Sequence, residues 1–186
     1  MAVICGFSSN VIVPLEECGT KPARGVNPIT YLLNHEEYEQ AWEYKTGSTN
    51  IVETITLAGD ADAYKLQSRA GALIQPTSSG SKGEFTQSLV YTMPYISPEL
   101  AAQFEKGQFG RYVLIQPMAN RTIRIFGHQF GLEMNEINEE FTETGTPIIT
   151  FGTNEETNLE SSIPKFFENV DYPTSIAYLE SLLPAA

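Results

Sequence analysis

The sequence has few basic residues and no long apolar run. Its 186 residues include 11 Lys and Arg against 23 Asp and Glu, which gives a net charge of −12. A strongly acidic chain repels phosphate, and this argues against nonspecific binding to the outside of DNA or to anionic membrane surfaces. No stretch approaches the roughly 20 apolar residues of a membrane span, and the N-terminus lacks the pattern of a secretory signal. We therefore expect a soluble protein that is made in a cytosol.

Cysteine and the common ligand-binding motifs are also scarce. Cys5 and Cys18 are the only cysteines, and they form neither a CxxC motif nor a cluster with histidine. Two isolated thiols in a protein without a secretion signal are usually reduced, although the sequence leaves open whether these two pair. Glycines do not assemble into GxGxxG or GxxxxGK[ST], so a nucleotide site has no support.

Short runs rich in Val, Ile, Thr, Tyr and Phe, bounded by Gly, Pro, Ser and Asn, fill most of the sequence. This pattern is typical of strands and turns. We predict a single, mainly β domain over residues 1–186, built as a β-sandwich or rolled barrel of about eight to ten strands. The candidate strands are 2–7, 11–15, 29–33, 51–58, 63–70, 84–93, 111–116, 121–126, 131–137 and 147–152.

One flanking helix and a short C-terminal helix complete the predicted fold. Ser97 suits the N-cap of the first helix, Pro98 its first position, and Gly107 its end. Residues 174–183 form the C-terminal helix, and 35–42 suit one or two further helical turns. The segments 16–28 and 75–83 contain small, polar and turn-forming residues, so we predict extended loops or arms there.

The stretch 121–134, RTIRIFGHQFGLEM, contains one of the two histidines. As a titrating side chain, His128 could serve as a general base or a metal ligand, but the other histidine, His35, is distant in sequence and no GxSxG nucleophile motif accompanies it. Alternatively, Gly127 and Gly131 shape a hairpin turn, with His128 and Gln129 as exposed tip residues. We favour the turn and predict no enzyme, no metal site and no cofactor.

Negative charge is concentrated in the last third of the chain. From Phe126 onward there are 11 acids and one base, Lys165, a net charge of −10, whereas residues 1–125 carry only −2. The acidic run from Glu133 to Glu143 lacks the ligand offsets and the glycine of a calcium-binding loop. We interpret this third of the chain as a solvated or lumen-facing acidic surface.

The order of several segments resembles small structural proteins of tailed bacteriophages, particularly phages of Bacteroidetes hosts. The segments that carry the resemblance are GVNPITYLLN at 25–34, NIVETITL at 50–57, YKLQ at 64–67, RYVLIQPMANRTIRIFGHQFGLEM at 111–134 and TPIITFGTNEETN at 146–158. One departure is QPMAN at 116–120, which replaces the usual Asn-Asn-Gly turn of that group. Pro117 in this turn lacks the N–H of a ladder residue.

The resemblance implies a tail-tube or neck-ring subunit that assembles with itself and other virion proteins around a DNA channel. Such a protein acts in the virion after synthesis in the host bacterial cytoplasm, and it lets DNA pass without specific binding and without a membrane partner. An acidic lumen suits this role, because each Lys or Arg contact to phosphate would add affinity. The candidate lumen-facing acids are Glu133, Glu136, Glu139 and Glu140, and the candidate subunit-contact arms carry Lys21, Arg24 and Lys82.

Three other functions remain open from the sequence. A head-decoration or receptor-binding virion protein is the nearest alternative. A monomeric β-barrel would bind a small apolar ligand in a cavity lined by residues such as Phe85, Leu89, Tyr112 and Leu114. A hydrolase with carboxylate chemistry would need two acids that face each other across a cleft.

Overall fold

The computed structural model describes residues 11–12, 28–37, 42–59, 61–67, 74–92, 98–138, 148–154 and 159–184. In this part of the chain, twelve strands form one mixed sheet with two helices beside it, so the mainly β prediction is confirmed. The strands are β1 (Val11–Ile12), β2 (Ile29–Asn34), β3 (Trp42–Tyr44), β4 (Ile51–Ile55), β5 (Tyr64–Gln67), β6 (Ile74–Ser81), β7 (Glu84–Thr92), β8 (Arg111–Pro117), β9 (Ile123–Phe126), β10 (Leu132–Asn138), β11 (Ile148–Gly152) and β12 (Lys165–Phe167); the helices are α1 (Pro98–Gly107) and α2 (Tyr172–Ser181).

Strand β8 lies at the centre of the sheet. One of its edges pairs antiparallel with β2, where Leu32 lies opposite Leu114. Its other edge pairs with two strands in turn, since Leu114 lies opposite Phe126 of β9 and Tyr112 lies opposite Leu132 of β10. β9 and β10 therefore run in the same direction along one edge of β8, and residues 127–131 loop out between them.

This arrangement corrects the prediction of a hairpin turn at 127–131. A hairpin would reverse the chain, whereas here the chain continues in the same direction past the loop. Beyond β9 the sheet continues through β12 and β4 to β3, and beyond β10 it continues through β11 and β7 to β6. The loop thus stands where the sheet divides into two branches.

Both faces of β8 are buried, each in a separate hydrophobic core. Tyr112 and Leu114 point into the first core, which α1 covers with Phe104. Val113 and Ile115 point into the second core, which α2 covers with Leu179. Since neighbouring residues of a strand point to opposite faces, a run of buried residues through β8 supplies both cores at once.

The stretch 75–83 is not the predicted loop, and that prediction was wrong. Its residues up to Ser81 form strand β6, and the turn to β7 consists of Lys82 and Gly83, whose φ angles of 56° and 82° suit a tight hairpin turn. Small polar residues form a strand here because they pair across the hairpin: the hydroxyl oxygens of Thr77 and Ser88 are 2.9 Å apart, and those of Ser79 and Thr86 are 2.8 Å apart.

Helix α1 agrees with the prediction, but α2 begins two residues earlier than predicted. Asp171 is its N-cap, and the carboxylate accepts a hydrogen bond from the backbone N–H of Thr174 over 2.8 Å. The predicted turns at 35–42 are limited, within the described residues, to a single 3-10 turn at His35–Glu37, and Trp42 starts β3. Among the described residues, no helix is long and apolar enough to cross a bilayer.

Other predicted strands in the described part are present, with ends shifted by at most three residues. The predicted strand at 2–7 lies outside the described residues, and only Val11 and Ile12 of the one at 11–15 are described. Cys5 and Cys18 also lie outside the described residues.

Candidate functional site

The loop at 127–131 begins and ends at positions that suit only glycine, Gly127 and Gly131. The N–H of Gly131 donates to the carbonyl of Gly127 over 3.1 Å, which closes the loop, and the two residues have φ angles of 69° and 79°. A Cβ at Gly127 would lie 2.7 Å from the carbonyl oxygen of Tyr112. The prediction that these glycines supply permissive backbone angles is confirmed, although they serve a strand-to-strand loop rather than a hairpin.

A buried carboxylate holds the loop from one side. Glu160 is 1% exposed and accepts hydrogen bonds from the backbone N–H groups of Gln129, at 3.0 Å, and Phe130, at 3.1 Å. Its own backbone pairs with Phe85 of β7. Burial raises the pKa of the Glu160 carboxyl, and the two N–H donors oppose this shift. Burying this group without those donors would be costly, so the carboxylate and the loop stabilise one another.

A buried amide holds the first residue of the loop. Gln87 is 2% exposed, and its Oε1 accepts a hydrogen bond from the N–H of Gly127 over 3.0 Å. Its Nε2 donates to the carbonyl of Ser162 over 2.9 Å. Gln87 belongs to β7, so the start of the loop is attached to the branch that β10 leads into.

The two histidines, distant in sequence, both contact this loop. His35 Nε2 lies 3.1 Å from the carbonyl oxygen of Gln129, which can only accept, so Nε2 carries the proton. The ring of His128 lies 4.7 Å from the ring of Trp42, and its Nε2 is 3.1 Å from the hydroxyl of Tyr44. The prediction of an exposed tip was wrong, because both His128 and Gln129 are half-buried.

Burial controls the charge of both imidazoles. It lowers the pKa of His128 to about 4, helped by Lys165 and His35. It also lowers the pKa of His35, against the opposing effect of the bond to Gln129. Both rings are therefore neutral near pH 7. Within the described ranges, no three His, Cys, Asp or Glu side chains come together in a group that could hold a metal ion.

Two of the four predicted lumen-facing acids lie among the described residues. Glu133 and Glu136 lie on β10, where an irregularity between Met134 and Glu136 shifts the register with β11. Glu133 stands opposite Gly152 and Glu136 opposite Thr150. Glu133 is half-buried and accepts a hydrogen bond from Asn154 Nδ2 over 3.1 Å, whereas Glu136 is exposed. The remaining two, Glu139 and Glu140, lie outside the described residues.

Of the predicted arms, the structure describes only one basic residue. Lys82 is exposed at the turn between β6 and β7. Lys21 and Arg24, together with nearly all of the segment 16–28, lie outside the described residues. The subunit contacts of both arms remain predictions.

Glu133 and Glu136 belong to a larger surface with a common character. The register of β10, β11, β7 and β6 places alternate residues on one side of the sheet, opposite the first core. We call this side the hydroxyl face. Thr and Ser are the commonest residues on it, and none of its positions on these four strands holds Lys or Arg, although Arg111 of β8 lies directly opposite Glu133 at its border. Its members include Thr77, Ser79, Glu84, Thr86, Ser88, Val90, Thr92, Glu133, Glu136, Ile148 and Thr150.

The described acids in the last third of the chain do not form one acidic surface, which corrects our interpretation for this part of the chain. Five of its six described acids have local structural contacts, and one of these is the bond between Glu133 and Asn154. Glu168 pairs with Lys45 at 3.0 Å and Glu180 with Lys65 at 2.7 Å. Asp171 caps α2, and Glu160 is buried under the loop. Among the described acids of this third, those of β10 remain as candidates for a lumen.

Three of the four residues predicted to line an apolar ligand cavity are packed in the first core instead. Leu89, Tyr112 and Leu114 are each 0% exposed and pack together in the first core. A cleft of about 280 Å³ lies elsewhere, between the start of β9, β12 and α2, and is lined by residues that include Arg121, Phe166 and Tyr172.

No family model, no curated protein and no solved structure matches this chain. The resemblance to phage structural proteins therefore stays a prediction.

Replacing Gly127 with alanine should destabilise the protein more than the same change at Gly47. Both residues have positive φ, 69° and 82°, so each variant bears a backbone cost of roughly 1–2 kcal/mol. A Cβ at Gly47 meets no atom within 4 Å, whereas one at Gly127 meets the backbone of Tyr112. Urea unfolding should show a loss larger by about 2 kcal/mol or more for Gly127→Ala. Equal losses would show that the loop can move away from β8.

Acid should quench the fluorescence of Trp42, the only tryptophan, as His128 gains a proton. A protonated imidazole in contact with indole accepts an electron from its excited state, and the pKa of about 4 sets the midpoint. His128→Gln should abolish this step and His35→Gln should keep it. The contact between neutral His128 and Trp42 contributes fully to the free energy of unfolding above pH 6.5, and this contribution falls as the pH drops towards 4. A quenching midpoint near 6.5 would contradict the burial of the ring.

Proposed function

We propose that this protein is a non-enzymatic structural subunit that assembles with copies of itself into a ring or tube and turns its hydroxyl face towards passing DNA. The tail tube and the head-tail connector of a tailed phage are assemblies of this kind. The observation that carries the proposal is the hydroxyl face: four paired strands present hydroxyls and acids on one side, with no base among their own residues and with Arg111 of β8 only at the border.

A surface along which DNA slides must not bind phosphate. Each Lys or Arg that neutralises a phosphate releases condensed counterions, and this adds affinity that would hold the polymer in place. Hydroxyl groups keep such a surface hydrated, while Glu133 and Glu136 repel phosphate. A sheet is well suited to this task, because its rigid backbone fixes the spacing of the side chains.

Three basic side chains of the other branch have local partners. Lys45 pairs with Glu168, and Lys165 donates to the carbonyl of Thr49 over 3.0 Å. The guanidinium of Arg124 lies 3.9 Å from the centre of the Phe166 ring. The two branches of the sheet thus differ in charge character, which supports different surroundings for them in an assembly. Lys82 stands at the turn at the end of the hydroxyl face, where it would meet a neighbouring subunit.

Reversing the charge of the hydroxyl face should create a DNA site inside the assembled particle. The variant Glu133→Lys/Glu136→Lys removes two negative and adds two positive charges per subunit, and so does the control Glu36→Lys/Glu105→Lys, whose acids are exposed elsewhere. After isolation of assembled particles by sedimentation, binding is measured for a short linear duplex and for a closed circular plasmid, which cannot enter a ring. We expect the first variant to bind the linear duplex at least tenfold more tightly than the wild type, with a strong salt dependence, and to discriminate against the circle.

The control should bind both forms of DNA alike, because its added charges lie on the outside. A head-decoration protein would assemble, but its hydroxyl-face variant would bind the circle as well as the linear duplex. That result, or a wild-type protein that stays monomeric at high concentration, would overturn the proposed function.

A further inference from the structure

Strand β6 forms one end of the sheet and runs for eight residues, Ile74–Ser81. Among the described residues, β7 is its only strand partner. A strand of average length has about five or six residues, and a long open edge is a template for pairing with another chain. The free edge of β6 is therefore the part of the described structure best suited to joining a second sheet.

The backbone groups on this edge can be assigned from the contacts of β7. Gln87 lies opposite Ser78, and both its N–H and its carbonyl bond to Thr153, on the side away from β6. In an antiparallel pair, the residue opposite such a position also points its backbone groups away from the partner. Ser78 thus directs its N–H and its carbonyl to the outer edge.

Backbone groups alternate in direction along a strand, so Pro76 and Gly80, two residues to each side of Ser78, should also direct theirs to the outer edge. Phe85 lies opposite Gly80 and bonds to Glu160 on the far side, which directs the groups of Gly80 outward in the ladder. Gly80 has a φ of 149°, which glycine adopts readily. Pro76 lies opposite Leu89, in the same phase of the ladder. Proline has no N–H, and at an outward position it removes no bond to β7. Its carbonyl remains available as an acceptor on the open edge.

Open edges are commonly protected by charged side chains, proline or bulges. β6 has Pro76 but no charged residue, as its sequence IQPTSSGS shows. The sheet end formed by β3 differs, since β3 has three residues and an exposed glutamate, Glu43. Two copies of a chain with a net charge of −12 repel one another, and a neutral strand offers the contact with least repulsion. This favours a second copy of the same strand as the occupant of the edge.

We propose that β6 pairs antiparallel with β6 of a second copy, about a two-fold axis that passes through Ser78. In this register the two Ser78 residues exchange N–H to carbonyl bonds. Pro76 then lies opposite Gly80 of the other copy, where its carbonyl accepts the glycine N–H and its ring meets no side chain. A two-fold axis perpendicular to the sheet keeps the two hydroxyl faces on the same side, so the dimer presents one continuous face of eight strands.

This inference rests on the self-assembly in the proposed function and adds its contact strand. Sedimentation velocity over a range of concentrations should compare Ser78→Pro with Ser78→Ala. The proline variant loses the outward N–H of each copy while the bonds to β7 stay, and we expect its dimer dissociation constant to rise at least tenfold. The alanine variant loses only an exposed hydroxyl and should stay within about twofold of the wild type. Circular dichroism and thermal unfolding check that both variants fold.

Cysteine cross-linking tests the register. Directly paired, hydrogen-bonded residues have Cα atoms about 5.5 Å apart, a separation that a disulfide can bridge. In a Cys5→Ser/Cys18→Ser background, mild oxidation should convert Ser78→Cys into a covalent dimer, whereas Ala177→Cys, exposed on α2, should remain mainly monomeric. If Ser78→Cys cross-links no faster than this control, the two-fold register is wrong.

The outcomes separate this inference from the function. Rings that form equally well with Ser78→Pro would overturn the β6 contact and leave the function standing. Dimers that depend on β6 but never form rings or tubes would support the contact and overturn the function. Loss of association in Ser78→Pro without cross-linking of Ser78→Cys would assign β6 a different partner strand and overturn the self-pairing.

Discussion

The structure depends on the way one edge of β8 is shared between β9 and β10. Leu114 pairs with one of these strands and Tyr112 with the other, so two branches of the sheet start from a single strand. The chain passes between them through a loop whose first residue lies so close to β8 that a Cβ would contact the Tyr112 carbonyl. Because β8 also supplies both hydrophobic cores, the loop and the packing on either side of it stabilise one another.

Polar groups buried around the loop fix the relation of the branches. Glu160 and Gln87 accept its N–H groups from the side of β7, while His35 donates to the carbonyl of Gln129. On the opposite side, His128 packs against Trp42 at the start of β3. His128, which the sequence offered as a possible general base or metal ligand, thus helps to hold together two branches of the sheet that carry different surfaces. One is the hydroxyl face, and the other carries ion pairs such as Lys45 with Glu168.

Runs rich in β-branched and aromatic residues were enough to predict β8, β9 and β10. The Ser-Pro-Glu start was enough to predict α1. Composition of this kind was not enough for β3 and β12, which have three residues each and show no periodicity. β6 was missed because Ser, Gly and Pro favour turns locally, whereas pairing with β7 holds them extended. The contacts of the loop could not be predicted, since His35 and Gln129 are 94 residues apart and spacing carries no signal over such a distance. The alternating hydroxyls of β7 were a readable sign of the hydroxyl face, but its extent depends on the pairing with β6.

The central functional claim is that copies of this protein surround DNA with their hydroxyl faces turned inward. Cryo-electron microscopy of the purified protein at high concentration measures this directly. The account predicts closed rings or tubes in which Glu133 and Glu136 face the central axis. Assemblies that turn these residues outward, or particles that remain single subunits, would contradict it.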